Sequence, residues 1–410
     1  MARFGRRGHA VGAHERQTTL FARFDDLARR VQGSDARRPA LALLGTVLGL
    51  LGIGLLIQLS HAATTLPVSE FRAELLHVLE YRVLAIVVLL AAFRLGPTRM
   101  QPFVPLLVVL AIAGLVAVFV PSLSRAVNGS QRWIQVPFTG LTVQPSEIAR
   151  VVMVLWVADR CRRLGPLVED MRRGFLPMLL FGITLFCLIV QQPDLGGALL
   201  FLMCFVATMW VGGARPAHVA GSLGLAGGGA LVLAISTLAY VRERIAVWIG
   251  GSGNDQVHRA VDAMASGNWF GVGLTHGGWR NSGLQYMQND YAFSLIGEEL
   301  GLFGQMTVVG LFLAFAWFAL RLVLSLRDRF CALVAFGLLT SIAFQAVLHL
   351  QVVTGLAPPK GINLPFISAG GTSLVASCLA VGLALGGIRS PADRRAPARS
   401  SSLAPSLGAV

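Results

Sequence analysis

Lysine is all but missing. The 410-residue chain carries 34 basic side chains, and a single one of them, Lys360, is lysine. Charge of either sign is scarce, because only 13% of residues are Asp, Glu, Lys or Arg, roughly half the share of a soluble domain. Together with 55% hydrophobic residues and a mean hydropathy of +0.68, this scarcity excludes an ordinary water-soluble globule and places the chain in a bilayer. Cysteine is sparse and odd in number. Cys161, Cys187, Cys204, Cys331 and Cys378 form no C-x-x-C pair and mostly sit inside apolar runs, so they act as small hydrophobes rather than a disulfide framework. Metal-ligand spacing, a Walker sequence, G-x-S-x-G and a dinucleotide fingerprint are all missing. The eight histidines are dispersed, and His349, inside an apolar run, reads as a polar packing residue.

What the chain has in abundance is apolar runs. A helix of ~20 residues crosses ~30 Å of hydrocarbon. Candidate runs lie at 39–59, 75–95, 102–121, 144–161, 175–191, 195–212, 217–240, 291–323, 330–356 and 366–387. The expected fold is all-α, a polytopic membrane protein with about ten transmembrane helices and a large extracytoplasmic loop between the seventh and eighth. The run at 291–323 exceeds one level span, so part of it should project beyond the bilayer. The net charge of +14 would suit nucleic acid, but the arginines gather in the tails and in every second loop: Arg94 and Arg99, Arg160 to Arg173, Arg215, Arg321 to Arg329, and Arg389 onward. That alternation follows the positive-inside rule, puts both termini in the cytoplasm and removes the case for nucleic acid. Three regions result: a basic disordered tail at 1–38, a membrane domain at 39–388 and a second disordered tail at 389–410. The first 38 residues hold no early apolar core, so the first run should serve as an uncleaved anchor.

The opposite loops, 122–143, 191–197, 241–290 and 357–373, hold most of the glycine, proline and tryptophan and the charge stranded among apolar residues. Irregular backbone at membrane depth survives only under protein or beside a watery cavity, so this is the expected working face. Arg132 and Trp133 set a guanidinium beside an amphipathic ring, which suits a phosphate or sugar at an interface, or else an interfacial anchor. Pro145 starts a helix whose Glu147 and Arg150, three apart, share a face and can pair. Charges inside a span are costly and mark either a functional site or an ion pair that locks helices. Asp194 caps the next helix or acts directly. Asp290 precedes a further helix, where it would be an ordinary N-cap; Glu298 would lie ~80° round it from Asp290 and Glu299 nearly opposite. One carboxylate then stands at the rim and two are sunk into the bundle. The sunk pair needs protonation or a cation, and Arg132, Arg150 and Lys360 are the cations available. Lys360 stands on a loop that Pro358, Pro359 and Pro365 keep out of helix. Such a lysine holds an anion, or snorkels to the interface. Because lysine is a compact point charge and arginine a planar fork, one lysine in an arginine chain suggests a site that wants the compact ammonium.

Five blocks, RWIQVPFTGLTVQPSEIAR, QQPDLGGALL, SGNWFGVGL, DYAFSLIGEELGLFG and VVTGLAPPKGINLPFISAGGTSL, stand in this order. They resemble the SEDS family of bacterial cell-wall proteins, which includes FtsW, RodA and SpoVE, over roughly residues 40–388. Arg150 stands where the family has lysine, Ala369 where it has tyrosine, and His349 and Gln351 where it has Asn and Gly; LQYMQND replaces the usual approach to Asp290. The resemblance implies a peptidoglycan glycosyltransferase that joins lipid II units at the outer face of the bacterial cytoplasmic membrane. Undecaprenyl diphosphate would be the leaving group, and the role would be cell division or cell-shape control. PPKG leans toward the FtsW-like branch. It implies Asp290 as the catalytic residue, and Arg132, Trp133, Arg150 and Lys360 as substrate-binding. Glu147, Asp194, Glu298 and Glu299 would hold those cations and helix ends. It also implies a class B penicillin-binding protein, a transpeptidase, as partner, with other divisome or elongasome membrane proteins. No cofactor follows, and a divalent cation, Mg or Mn, on the diphosphate stays open. Two rival readings are a lipid II flippase, which intramembrane charges and broken helices also fit, and a non-catalytic scaffold for the penicillin-binding protein.

Overall fold

The structure, a computed structural model, describes residues 35–127, 130–135, 142–224, 228, 236, 239–250, 255–279 and 287–391. Twelve α-helices run through them: α1 (Arg37–Thr65), α2 (Val68–Met100), α3 (Val104–Ala117), α4 (Pro145–Leu164), α5 (Leu176–Gln191), α6 (Leu195–Val211), α7 (Pro216–Ser222), α8 (Ala239–Gly250), α9 (Asp255–Ser266), α10 (Ala292–Ser325), α11 (Arg329–Val353) and α12 (Gly371–Gly386). Helices therefore stand at nine of the ten places expected to span. Half of 217–240 lies outside the described residues, as do residues 1–34 and 392–410 of the expected tails. Six segments have the length and apolarity to cross a membrane, and one of them, Ser69–Ala117, holds both α2 and α3. The shorter α6 is apolar as well, while α4 is too charged to qualify by composition. All five cysteines are free thiols, four of them buried.

Small residues let the helices approach closely. Gly382 and Gly386 of α12 face Leu89, Ala92 and Gly96 of α2; a Cβ on Gly382 would lie 2.4 Å from the Leu89 carbonyl oxygen. This is the small-xxx-small contact of membrane helices, where apolar burial alone drives no association. Near its end α2 kinks at Gly96, φ 65°, followed by Pro97, which removes the ladder hydrogen bond. α11 lies at the centre, packed by α4, α6, α10 and α12, and the largest buried side chains are the phenylalanines Phe175, Phe201, Phe205, Phe315, Phe330 and Phe366.

Two expected loops have structure of their own. Residues 124–143 form a small antiparallel sheet, β1 (Ser124–Val127), β2 (Ser130–Gln135) and β3 (Thr142–Val143), in the order β1-β2-β3. Arg125 pairs with Trp133 and Ile134 with Val143, as the β-branched and aromatic residues of this stretch favour. The 241–290 segment is not one long loop, since α8 and α9 stand in it. Val257, Ala260 and Ala263, spaced three apart, bury one face of α9 against α10. α10 breaks at Gly301, where φ is 67°, so its first turns and the long span are two helical pieces.

Candidate functional site

The polar groups converge at one end of the bundle, around the loop 357–370 between α11 and α12. Pro145 sets the first turn of α4, and Glu147 and Arg150 pair from one face of it. Arg150 Nη2 donates to Glu147 Oε2 at 2.5 Å and to Gln345 Oε1 at 3.0 Å. Gln345 Nε2 in turn donates to the Asn363 carbonyl (3.0 Å) and to Ser373 Oγ (3.1 Å), so the ion pair is wired to the middle of the loop and to the first turn of α12. Asp194 caps α6 by accepting from the Gly197 amide at 2.9 Å. It also accepts from Gln144 Nε2 (3.0 Å) and pairs with Arg132 Nη1 (3.5 Å), and Arg132 Nη2 donates to the Pro193 carbonyl. Capping and charge pairing are thus one arrangement. Trp133 is half-buried beside Arg132 on β2.

Asp290 sits on a turn, 287–290, clamped to that loop. The Ala369 amide donates to the Gln288 carbonyl (3.0 Å) and Ser368 Oγ to the Asn289 carbonyl (2.6 Å). The half-buried Asp290 carboxylate lies 3.2 Å from where a Cβ on Gly361 would stand, so a side chain there would crowd it and Asp290 is neighbour to the Lys360–Gly361 step. Tyr291, not Asp290, occupies the N-cap of α10, and it makes no side-chain cap bond. The helical angles expected between Asp290, Glu298 and Glu299 therefore do not apply, because Asp290 lies outside the helix. From below, His349 Nδ1 bonds the Ile362 carbonyl at 2.7 Å, the packing role expected of it.

Glu298 and Glu299 are buried as expected, and Arg132 and Arg150 pair instead with Asp194 and Glu147. Glu298 Oε1 accepts from the Trp279 amide (3.0 Å) and Glu299 Oε1 from Ser60 Oγ (2.7 Å), which itself accepts from the Thr275 amide (2.8 Å). The break at Gly301 frees backbone groups as well. The Val272 and Gly273 amides donate to the Glu298 and Glu299 carbonyls at 2.9 and 3.1 Å. A Cβ on Gly271, at φ 82°, would lie 2.1 Å from the Glu299 carbonyl oxygen. These acids anchor the segment 266–279 to α1 and α10.

Between α1, α2, the 287–290 turn and the start of α12 opens a cavity of about 270 Å³, lined by Gln58, Glu74, His77, Tyr81, Gln288 and Asn289 among others. Gln58 also donates to the Ile367 carbonyl at 2.5 Å. Sequence reasoning passed over Gln58, Glu74, Tyr81 and Gln345, although a polar residue inside an apolar run was a usable signal for each. No group of three His, Cys, Asp or Glu placed to hold a metal occurs among the described residues.

A bundle apolar around its girth, with a cluster of buried, paired charges at one end beneath re-entrant backbone, defines a multi-pass membrane protein with a polar site at one membrane face. The sequence profile of the FtsW/RodA/SpoVE family, described as "Cell cycle protein", matches residues 40–388, and the chain belongs to that family. It is 33% identical over 356 residues to a probable peptidoglycan glycosyltransferase FtsW of Aromatoleum aromaticum, covering 84% of this chain and 86% of that one. It is 34% identical over 288 residues to the stage V sporulation protein E of Bacillus subtilis, covering 68% and 77%. Among solved structures, the fold is similar to a chain described under "Structural coordination of polymerization and crosslinking by a peptidoglycan synthase complex", with a TM-score of 0.68, 24% identity and coverage of 85% and 96%. It is also similar to the rod shape determining protein RodA of Thermus thermophilus, with a TM-score of 0.62, 23% identity and coverage of 85% and 95%.

Proposed function

We propose that this chain polymerises peptidoglycan, joining lipid II units by glycosyl transfer at the outer face of the cytoplasmic membrane. The activity named for its relatives supports this reading. The observation that carries it is the seat of Asp290: a carboxylate on a non-helical turn, at the rim, beside Lys360–Gly361 and next to a polar cavity, in a chain otherwise starved of charge. In the reaction, a sugar 4-hydroxyl oxygen bonds to an anomeric carbon as that carbon's bond to the diphosphate oxygen breaks. The hydroxyl proton passes to Asp290, which needs to stand within about 3 Å of it. Undecaprenyl diphosphate leaves with the electron pair, and cations at headgroup level stabilise the charge that develops. Lys360 takes this role in the reading, as neighbour to Gly361 and Asp290. Arg132 and Arg150, each half of an ion pair, serve by setting the start of α6 and the loop 357–370, with Trp133 as the interfacial ring. Glu147, Asp194, Glu298 and Glu299 hold that frame.

In this reading both termini are cytoplasmic, the substrate's lipid tails enter between helices from the bilayer, and a class B penicillin-binding protein crosslinks the product. A flippase would need essential charge in the opposite half of the bundle, whereas the charges described above cluster at the site end. The test is lipid II polymerisation by purified protein together with its cognate transpeptidase. Asp290→Ala should lower the rate by 10²–10⁴-fold, on the order of what a lost general base costs, with the folded state intact. A variant keeping more than about a tenth of the parent rate overturns the base role, and a parent that does not polymerise overturns the activity.

A further inference from the structure

Arg82 of α2 is an oddity that the proposed reaction leaves unused. It is a guanidinium only 6% exposed, in the middle of an apolar helix. Its Nη1 donates to the Leu51 carbonyl of α1 at 3.1 Å, while Nε and Nη2 have no hydrogen-bond partner among the described residues. No described carboxylate is within ion-pair distance of it. A charge placed so is costly in a membrane protein and calls for an anion. Nε and Nη2 are also the two donors on one edge of the guanidinium, a fork whose geometry matches two oxygens of a phosphate or carboxylate.

The surroundings supply no compensating negative charge among the described residues. Gly371 meets the Tyr81 ring and Gly382 meets Leu89, so α2 and α12 run side by side, and Arg82, next to Tyr81, lies between these two contacts. The Cys378 thiol is its electrostatic neighbour. Ser377 Oγ, 1% exposed, likewise lacks a partner among the described residues. Val78, Tyr81 and Leu374 line the cavity described above. Arg82 follows Tyr81 directly and lies one turn beyond Val78, while Ser377 and Cys378 lie one turn beyond Leu374, so the vacant donors stand just behind the inner wall of the cavity.

Resting on the polymerase reading, we propose that Arg82, with Ser377, binds a phosphate oxygen of the lipid-linked diphosphate at the inner end of this cavity, reached when Val78 and Leu374 part. The free anion would present the same chemistry, so the assay separates the two. Affinity is measured by ligand-induced thermal shift of the purified full chain, using farnesyl diphosphate, farnesol and inorganic pyrophosphate as probes. The parent should bind farnesyl diphosphate and not farnesol. Arg82→Lys, which keeps the charge but loses the fork, and Arg82→Met should bind it roughly 10- to 100-fold more weakly, the loss of charge-assisted hydrogen bonds. Because Arg82 also ties α1 to α2, a second variant leaves it in place: Ala369→Trp, at a residue lining the cavity, should block the same binding. Unchanged affinity in both Arg82 variants, or farnesol binding as tightly as the diphosphate, overturns the proposal. Pyrophosphate binding as tightly as farnesyl diphosphate overturns its lipid-linked part. Lipid II polymerisation by the parent is scored alongside. A polymerising parent with Arg82-independent binding sinks this inference alone, and a non-polymerising parent with Arg82-dependent binding sinks only the activity it rests on.

Discussion

Removing the Glu147 carboxylate should unsettle this protein more than any change of similar size at its surface. Arg150 is 5% exposed, and its partners are Glu147 at 2.5 Å and Gln345 at 3.0 Å. At that separation, with an effective dielectric constant of about 20, the attraction is about 7 kcal/mol, and the lost solvation of both ions offsets much of it. Deleting one partner is the harsher event, because it leaves a buried cation facing one amide oxygen. The expected loss for Glu147→Ala is about 3–5 kcal/mol. The same logic says that the charge, and not the missing contact, does most of the damage. Glu147→Gln combined with Arg150→Met, which leaves no ion behind, should recover stability relative to Glu147→Ala. Equilibrium unfolding by SDS titration in mixed micelles measures both. A loss under about 1 kcal/mol for Glu147→Ala, the range of an exposed pair, would refute the buried-pair reasoning, as would a double variant no more stable than the single one. Because Gln345 links the pair to Asn363 and Ser373, the single variant should also loosen the loop that seats Asp290, and hydrogen exchange at 357–370 should rise with it.

Gly382→Leu should weaken the contact between α12 and α2 by at least about 2 kcal/mol, since even a Cβ would lie 2.4 Å from a backbone oxygen; Gly45→Ala on α1, with nothing within 4 Å of the new atom, should be neutral or mildly stabilising in the same titration. A cysteine placed at the exposed Asp262 of α9 should react with a membrane-impermeant maleimide added to intact spheroplasts, and labelling seen only after the membrane is opened would reverse the proposed orientation.

How much of this was legible in the linear chain depends on whether the deciding interaction is local. Hydropathy placed the helices, because a span must satisfy its backbone within itself and its length is set by the bilayer rather than by a partner. Local chemistry also reached the Glu147–Arg150 pair, three residues apart on one turn, the Asp194 cap and the proline-interrupted loop, and the ordered blocks reached the family. Contacts over long stretches of sequence were not legible. The Arg132–Asp194 pair, the Gln345 bridge from α4 to the loop, and the docking of 266–279 on the broken start of α10 each join segments that only packing brings together. Helical angles misplaced Asp290 because they assume a helix, and whether the chain is helical at 290 was decided by the clamp from Ser368 and Ala369. Arg82 looked like one more arginine in a basic chain. Its meaning came from what tertiary structure withheld: the fold surrounds it with apolar side chains and spare donors, where burial makes an unused hydrogen bond costly and an incoming anion welcome.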